Sequence, residues 1–184
     1  MNTASDNELM SRFQKGETDK IGILYERHKE GLFAYFYRCT NDRGKSEDLV
    51  QNVFIRIIKY RSKFSGKGQF VYWLYTIARN TWLAEYRKNE PLNAVIELNG
   101  TTAETLFRED HVELDETDDR KSQLKIALQK ISPEKRDAIV LSRYHGLTYK
   151  TIAEMSDCTE NAIKARVMRG IVEIRQAIQA INTE

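Results

Sequence analysis

Six aromatic rings fall within the nineteen residues FVYWLYTIARNTWLAEYRK (70–88), interleaved with Arg79, Arg87 and Lys88. Rings beside guanidinium and ammonium groups perform non-covalent chemistry: the rings stack on nucleobases and the cations hold phosphates. On a helical projection at ~100° per residue, Trp73, Leu74, Ile77, Ala78 and Ala84 share one face, enough for a core contact. Tyr72, Tyr75, Arg79, Trp82 and Tyr86 gather opposite. The preceding RSKFSGKGQF (61–70) is a basic loop in which Gly66 and Gly68 let the backbone approach a ligand closely. Rings next to such a loop can hold bases drawn out of a duplex. Alternatively, the second ring face packs against the chain's own helices, such as LYERHKEGLFAYFYR (24–38). Both readings stay open at this level.

A second surface comes from SEDLVQNVFIRIIKY (46–60). Leu49, Val50, Val53, Phe54, Ile57 and Ile58 form one broad apolar face, and Asp48, Gln51, Asn52, Arg56 and Lys59 lie on the other side. Ile55 falls in the middle of that polar side. An apolar residue ringed by carboxylate, amides and guanidinium has the anchor-and-rim layout of a protein interface, although a single exposed isoleucine is also commonplace.

The third surface lies near the C-terminus. Ser132 followed by Pro133 predicts a helix start, continuing through EKRDAIVLSRY to a stop at Gly146. Thr148 is placed to cap a short helix (YKTIAEM) and Thr159 to cap a longer one, from Glu160 to about Ala180. This is a helix-turn-helix pattern. Ile163, Val167, Ile171, Ile174 and Ile178 form the buried stripe of the long helix, while Asn161, Lys164, Ala165, Met168 and Arg169 lie roughly opposite. Such a face suits the major groove: Asn pairs with adenine, Arg or Lys with guanine, and Ala touches a thymine methyl. A plain three-helix bundle with a solvated charged face is the competing reading.

These surfaces require helices to carry them, and the chain supplies little else. Apolar residues recur at three- and four-residue steps and Pro is scarce, which predicts an all-α fold. The net charge of +2 conceals its distribution: residues 1–89 carry +6, 90–119 carry −9 and 120–184 carry +5. Two basic helical domains, 1–89 and 120–184, joined by an acidic flexible linker, 90–119, are therefore expected, with a polyanion as partner. No apolar run reaches the ~20 residues that a bilayer needs, and no basic-then-apolar leader is seen, so a cytoplasmic location without membrane insertion is expected. Cys39 and Cys158 lack metal-ligand spacing and read as small, mostly buried thiols. His28, His111 and His145 are scattered, with no HxxxH or nucleophile motif, and Gly66 and Gly68 form no phosphate cradle. No enzyme, cofactor or metal is expected, and His145 beside Gly146 reads as a surface or capping residue.

Taken together, SEDLVQNVFIRI, YWLYTIARN followed by Arg87, and LQKISPEKRDAIVLSRYHGLTYKTIAEM with AIKARVMRGIVEIR resemble the extracytoplasmic-function sigma factors of the sigma-70 family. The order and separation of these motifs match across nearly the whole chain. The resemblance implies that 46–60 docks on core RNA polymerase through Asp48, Gln51, Asn52, Ile55, Arg56 and Lys59. It implies that 61–88 recognises and melts the downstream promoter element through Lys63, Phe64, Lys67, Tyr75, Arg79, Asn80, Trp82, Tyr86 and Arg87, meeting the melted single strand. It also implies that Thr159, Glu160, Asn161, Lys164, Ala165, Arg166, Met168 and Arg169 read the upstream element as double-stranded DNA, and that an anti-sigma partner restrains the protein. Three positions depart from the family pattern and bear on base preference: Ala84 stands where Asp is usual, Thr151-Ile152-Ala153 replaces Glu-Ile-Ala, and Ile163-Lys164-Ala165-Arg166 replaces Val-Lys-Ser-Arg. The rival is a helix-turn-helix regulator that works beside an existing sigma factor.

Overall fold

A computed structural model describes residues 4–89 and 118–182, which form eight α-helices and no strand. The first half contains α1 (Asp6–Gln14), α2 (Lys20–Thr40), α3 (Arg43–Lys59) and α4 (Phe70–Asn89). Ser5 caps α1, its hydroxyl accepting from the Glu8 N–H. α2 ends at Asn41, whose left-handed backbone (φ 52°) reverses the chain within two residues. Asp42 then caps α3 by accepting from the Lys45 N–H at 3.0 Å. Leu9, Met10 and Phe13 of α1 meet Leu24, Leu32 and Phe36 of α2, Val53 and Ile57 of α3, and Leu74 and Ala78 of α4 in one core. Each of these side chains other than Ala78 contributes ~1.5–3 kcal/mol relative to exposure. The apolar face of α3 is narrower than its sequence suggests: five of the six expected residues are buried, but Ile58 is 43% exposed. The arc covered by α2 and α4 ends at Ile57.

The second half contains α5 (Asp118–Lys130), α6 (Pro133–Ile139), α7 (Tyr149–Ser156) and α8 (Glu160–Ile181). Pro133 opens α6 as expected, but the Ser132 hydroxyl makes no capping bond; the Ser132 carbonyl instead accepts from the Arg136 N–H at 2.9 Å. The helix does not run unbroken to Gly146. Val140–Tyr144 widens into a π-helical turn, and Gly146 (φ +64°) then ends it in the left-handed region, with the Leu147 N–H donating to the Leu141 carbonyl at 3.1 Å. Thr148 and Thr159 cap α7 and α8 by accepting from the Thr151 and Ala162 N–H groups. Along α8, Ile163, Val167 and Ile174 are buried, Ile171 and Ile178 only half-buried. The buried position between Val167 and Ile174 is Gly170, where α8 crosses α6 so closely that a Cβ would lie 2.6 Å from Ile139 Cδ1.

The two halves touch: α2 and α4 of the first pack against α5, α6, α7 and the π-turn of the second. Residues 90–117 lie outside the described residues, and with them nearly all of the expected acidic linker.

Candidate nucleic-acid interface

The polar side of α3 is open. Asp48, Gln51, Asn52, Ile55, Arg56 and Lys59 are all exposed, and Ile55, at 60%, is the most exposed large apolar side chain described. Ile58 lies beside it, so two isoleucines rather than one stand on this surface. Along the N-terminal part of α3 an open groove of about 630 Å³ runs between α2 and α3, lined by Tyr25, Phe33, Val50 and Gln51 among others.

The loop between α3 and α4 begins with a short 3₁₀ turn, Arg61–Lys63, and passes through Gly66 in the left-handed region (φ +72°). Lys63 and Lys67 point outward and are exposed. The Lys63 ammonium lies 5.0 Å from the Tyr60 ring centroid. Phe64 is instead buried, with ring contacts to Trp73 (5.4 Å) and Phe70 (6.0 Å). It anchors the loop to α4, and its ring is not presented to solvent.

On α4 the structure redistributes the rings. The buried residues include Phe70, Leu74, Tyr75, Ala78 and Trp82, whereas Trp73 and Ile77 are half-buried and Ala84 is exposed. Tyr75 and Trp82 pack edge-on to Tyr35 of α2, so the packing alternative accounts for part of their burial. The second half of the chain covers the rest. Arg79 Nε donates to Asp137 Oδ2 at 2.7 Å, and the Tyr35 hydroxyl donates to Asp137 Oδ1 at 2.7 Å. Side-chain exposure is 11% for Arg79 and 2% for Asp137. The Tyr75 hydroxyl lies 2.9 Å from His145 Nδ1, and Arg136 donates to the Cys39 carbonyl while its guanidinium stands 5.9 Å from the Trp82 ring centroid. Arg38 stacks on Tyr144 at 4.3 Å. Asn80 and Arg87 remain exposed and Tyr86 half-buried.

Burial governs the proton affinities in this cluster. Loss of solvent pushes the Asp137 carboxyl up, opposed by Arg79 and the Tyr35 hydrogen bond, and drives Tyr35 well above the usual phenol range. Tyr75 is pushed up to about 12 by burial. His145 is brought down to about 4, by burial first and by Arg38 second, so the ring facing Tyr75 is neutral. His145 is therefore an interior contact between the halves, and the surface or capping role expected from its neighbour Gly146 does not hold.

Sequence reasoning missed Arg136, Asp137 and Tyr35. One signal was present: Arg136 and Asp137 lie four residues before Val140 and Leu141, in phase with the buried side of their helix. Asp137 and Tyr35 find each other across the two halves, and Arg136 adds the Cys39 carbonyl and Trp82 of the first half to its own local bonds with Gln129 and Ile131, so the contacts between the halves leave no local trace.

On α8, Glu160, Asn161, Lys164 and Arg169 are exposed, while Ala165, Arg166 and Met168 are half-buried. Thr159 is exposed and its hydroxyl is used in capping. Arg166 turns toward Cys158, with Nη1 3.8 Å from Sγ. Lys164, Ala165, Met168 and Arg169 lie along one flank of the helix, away from the Ile163–Val167–Ile174 stripe.

This arrangement of two helical units agrees with comparison to known proteins. The family model for sigma-70 region 2 matches residues 24–91, and that for sigma-70 region 4 matches residues 122–174. The chain belongs to the sigma-70 family. Among relatives of this sigma factor, CarQ of Myxococcus xanthus is 26% identical over 95% of this chain and 98% of its own. The ECF sigma-E factor of Haemophilus influenzae is 25% identical over 96% and 97%. In three dimensions the sigma factor is similar to CnrH in complex with the cytosolic domain of CnrY (TM-score 0.70, 20% identity, 96% of this chain and 99% of that one). It is also similar to RpoE of Bartonella quintana in complex with the anti-sigma factor NepR (TM-score 0.63, 21% identity, 88% and 98%). This is an extracytoplasmic-function-type sigma factor, an alternative sigma that directs transcription initiation. Sigma factors as a class are non-enzymatic initiation factors that bind core polymerase and promoter DNA. No described helix of this one is long and apolar enough to cross a membrane.

Proposed function

We propose that this sigma factor acts in the cytoplasm, makes no bond itself, and couples core RNA polymerase to two promoter elements through the three surfaces described above. The supporting observation is Ile55, an isoleucine 60% exposed at the centre of a polar ring on α3. With Ile58 it forms an apolar anchor, and Asp48, Gln51, Asn52, Arg56 and Lys59 supply the rim that fixes register on the polymerase. Lys63 and Lys67 of the loop meet the melted strand, and Asn80 and Arg87 lie exposed on α4, which follows the loop. Asn161, Lys164, Ala165 and Arg169 face the upstream element in the major groove.

The domains assigned are 1–89 for polymerase docking and the downstream element, and 120–184 for the upstream element, with 90–119 connecting them. Two sites separated by nearly two duplex turns lie about 60 Å apart at ~34 Å per turn. Thirty extended residues span about 100 Å by the ~3.3–3.6 Å per residue rule. The tether is long enough for both elements to be held at once, and each contact then raises the effective concentration for the other.

Contact of Tyr75, Arg79 and Trp82 with DNA requires the halves to part, because Asp137, His145 and Arg136 now occupy them. An anti-sigma partner, as NepR is in the RpoE complex, would act on the same equilibrium.

Run-off transcription with sigma-free core polymerase and a random promoter library tests the reading. The wild-type chain supports initiation without any other sigma factor. Ile55→Glu, an exposed change, lowers core affinity at least tenfold while leaving the melting temperature within about 2 °C, since surface changes stay within ~0.5 kcal/mol. Initiation only when a resident sigma is added would replace this reading with a helix-turn-helix regulator.

A further inference from the structure

Two side chains of α1 hold the basic loop 61–69 at three backbone points and at a fourth on Phe70, where α4 begins. Asn7 Nδ2 donates to the Gly68 carbonyl at 2.8 Å, and Asn7 Oδ1 accepts from the Phe70 N–H at 2.6 Å. Gln14 Nε2 donates to the carbonyls of Arg61 (2.7 Å) and Phe64 (2.8 Å). Asn7 and Gln14 are seven residues apart, two helical turns, and so lie on one face of α1. Their bonds grip the loop on both sides of its tip. Gln14 closes the 3₁₀ turn where the loop begins, and Asn7 takes the Phe70 N–H, one of the donors left open at the start of α4. Between the two grips only Ser65, Gly66 and Lys67 extend, all exposed.

α1 is itself fixed to the bundle. Leu9, Met10 and Phe13 are buried. Arg27 donates to the Ala4 carbonyl and the Asp6 carboxylate, each at 2.8 Å, and His28 Nε2 lies 2.7 Å from the other Asp6 oxygen. The grips therefore tie the loop to a rigid element. Every one of the four bonds from Asn7 and Gln14 goes to backbone, three to the loop and one to the first residue of α4, so none of them uses the Lys63 or Lys67 side chain.

We propose that α1 is a brace for promoter melting, with Asn7 and Gln14 as positioning residues that hold the loop in its strand-capturing shape before DNA arrives. The inference rests on the reading that this loop meets the melted strand. A loop ordered during folding does not have to be ordered again on binding, which favours capture of flipped bases. Asn7 and Gln14 touch no DNA; they act through the backbone of the residues that do.

The test uses purified chain with core polymerase and a fork-junction DNA chosen from a random library by the wild-type holoenzyme. Asn7→Ala, Gln14→Ala and the double variant are measured beside Lys67→Ala. Expected is a fall in affinity for the single-stranded arm of about tenfold or more in the double variant, and faster tryptic cleavage at Lys63 and Lys67. Core affinity and binding to fully duplex upstream DNA stay unchanged. Asn7→Asp keeps the acceptor for Phe70 and loses the donor to Gly68, so it falls between Asn7→Ala and wild type. If Lys67→Ala loses the single-stranded arm while the Asn7 and Gln14 variants keep it, the brace is wrong and the loop reading stands. If none of them changes single-strand affinity, both are wrong. Should core binding and duplex binding drop in parallel with single-strand binding, α1 is only a structural support and the proposal is overturned. The single variants give the same reading if the double variant does not fold.

Discussion

Both oxygens of the buried Asp137 carboxylate are answered from the other half of the chain, one by a phenol and one by a guanidinium. A carboxylate in that position can be removed only by leaving Arg79 charged and the Tyr35 hydroxyl without its acceptor. Breaking one partner out of a buried ion pair costs ~3–5 kcal/mol. Asp137→Ala should therefore lower the stability of the closed arrangement by about that amount, seen as an earlier urea transition and as an increase in radius of gyration by small-angle scattering. An unchanged radius would mean that the halves are held by their apolar contacts alone. The sequence made Arg79 legible as a cation beside rings, and its exposed neighbours Asn80 and Arg87 as well. It could not show that Arg79 is already occupied, because its partner lies 58 positions along the chain.

At the scale of elements, α3, α7 and α8 were legible because local chemistry defines them: threonine caps, a left-handed glycine and a single apolar stripe. α4 was only half legible. A helix with two apolar faces has two neighbours, and periodicity cannot say whether the second is another helix of the same chain or a base. Tyr75 and Trp82 turned out to have Tyr35 beneath them and the second half above. The π-turn at Val140–Tyr144 was also invisible, since it spans five residues and the helix ends there, too soon for a shift in the apolar period to register. The crossing of α6 and α8 makes a specific demand. At Gly170 a methyl would meet Ile139 Cδ1 at 2.6 Å and Lys135 Cβ at 3.2 Å. The first atom ends a flexible side chain and can move aside, but the second is tied to the α6 backbone. Overpacking of this kind costs ~1–3 kcal/mol, against a helix-propensity gain of ~1 kcal/mol for Gly to Ala. Gly170→Ala should be neutral to destabilising by up to about 2 kcal/mol on that balance, lowering the melting temperature despite the better helix former. A raised melting temperature would show that α6 shifts without cost.

For the whole molecule, two halves of net charge +6 and +5 are brought together, so short-range contacts must overcome a long-range repulsion. One of those contacts responds to acid. His145 ordinarily titrates near 6.5, but in the closed arrangement it does so at about 4. Above pH 6.5 it is neutral whether the halves are closed or apart, and it contributes no pH dependence. As pH falls from 6.5 toward 4, the exposed ring binds a proton that the buried ring refuses, and the closed arrangement loses stability. Asp137, whose carboxyl is raised by burial, acts in the opposite direction. His145→Gln removes the first effect and keeps the second. Thermal melts at pH 7.5 and 5.0 should show a smaller loss of stability in acid for His145→Gln than for wild type, and equal losses would assign the acid response elsewhere. The two tryptophans stand at different places in this assembly. Trp73 lies against Phe64 at the root of the loop, and Trp82 lies under Arg136 of the second half. Their fluorescence therefore divides the work of reporting: a chain keeping only Trp82 signals by emission colour when the halves part, and one keeping only Trp73 signals when the loop is engaged, so the order of the two events can be timed without attaching a dye.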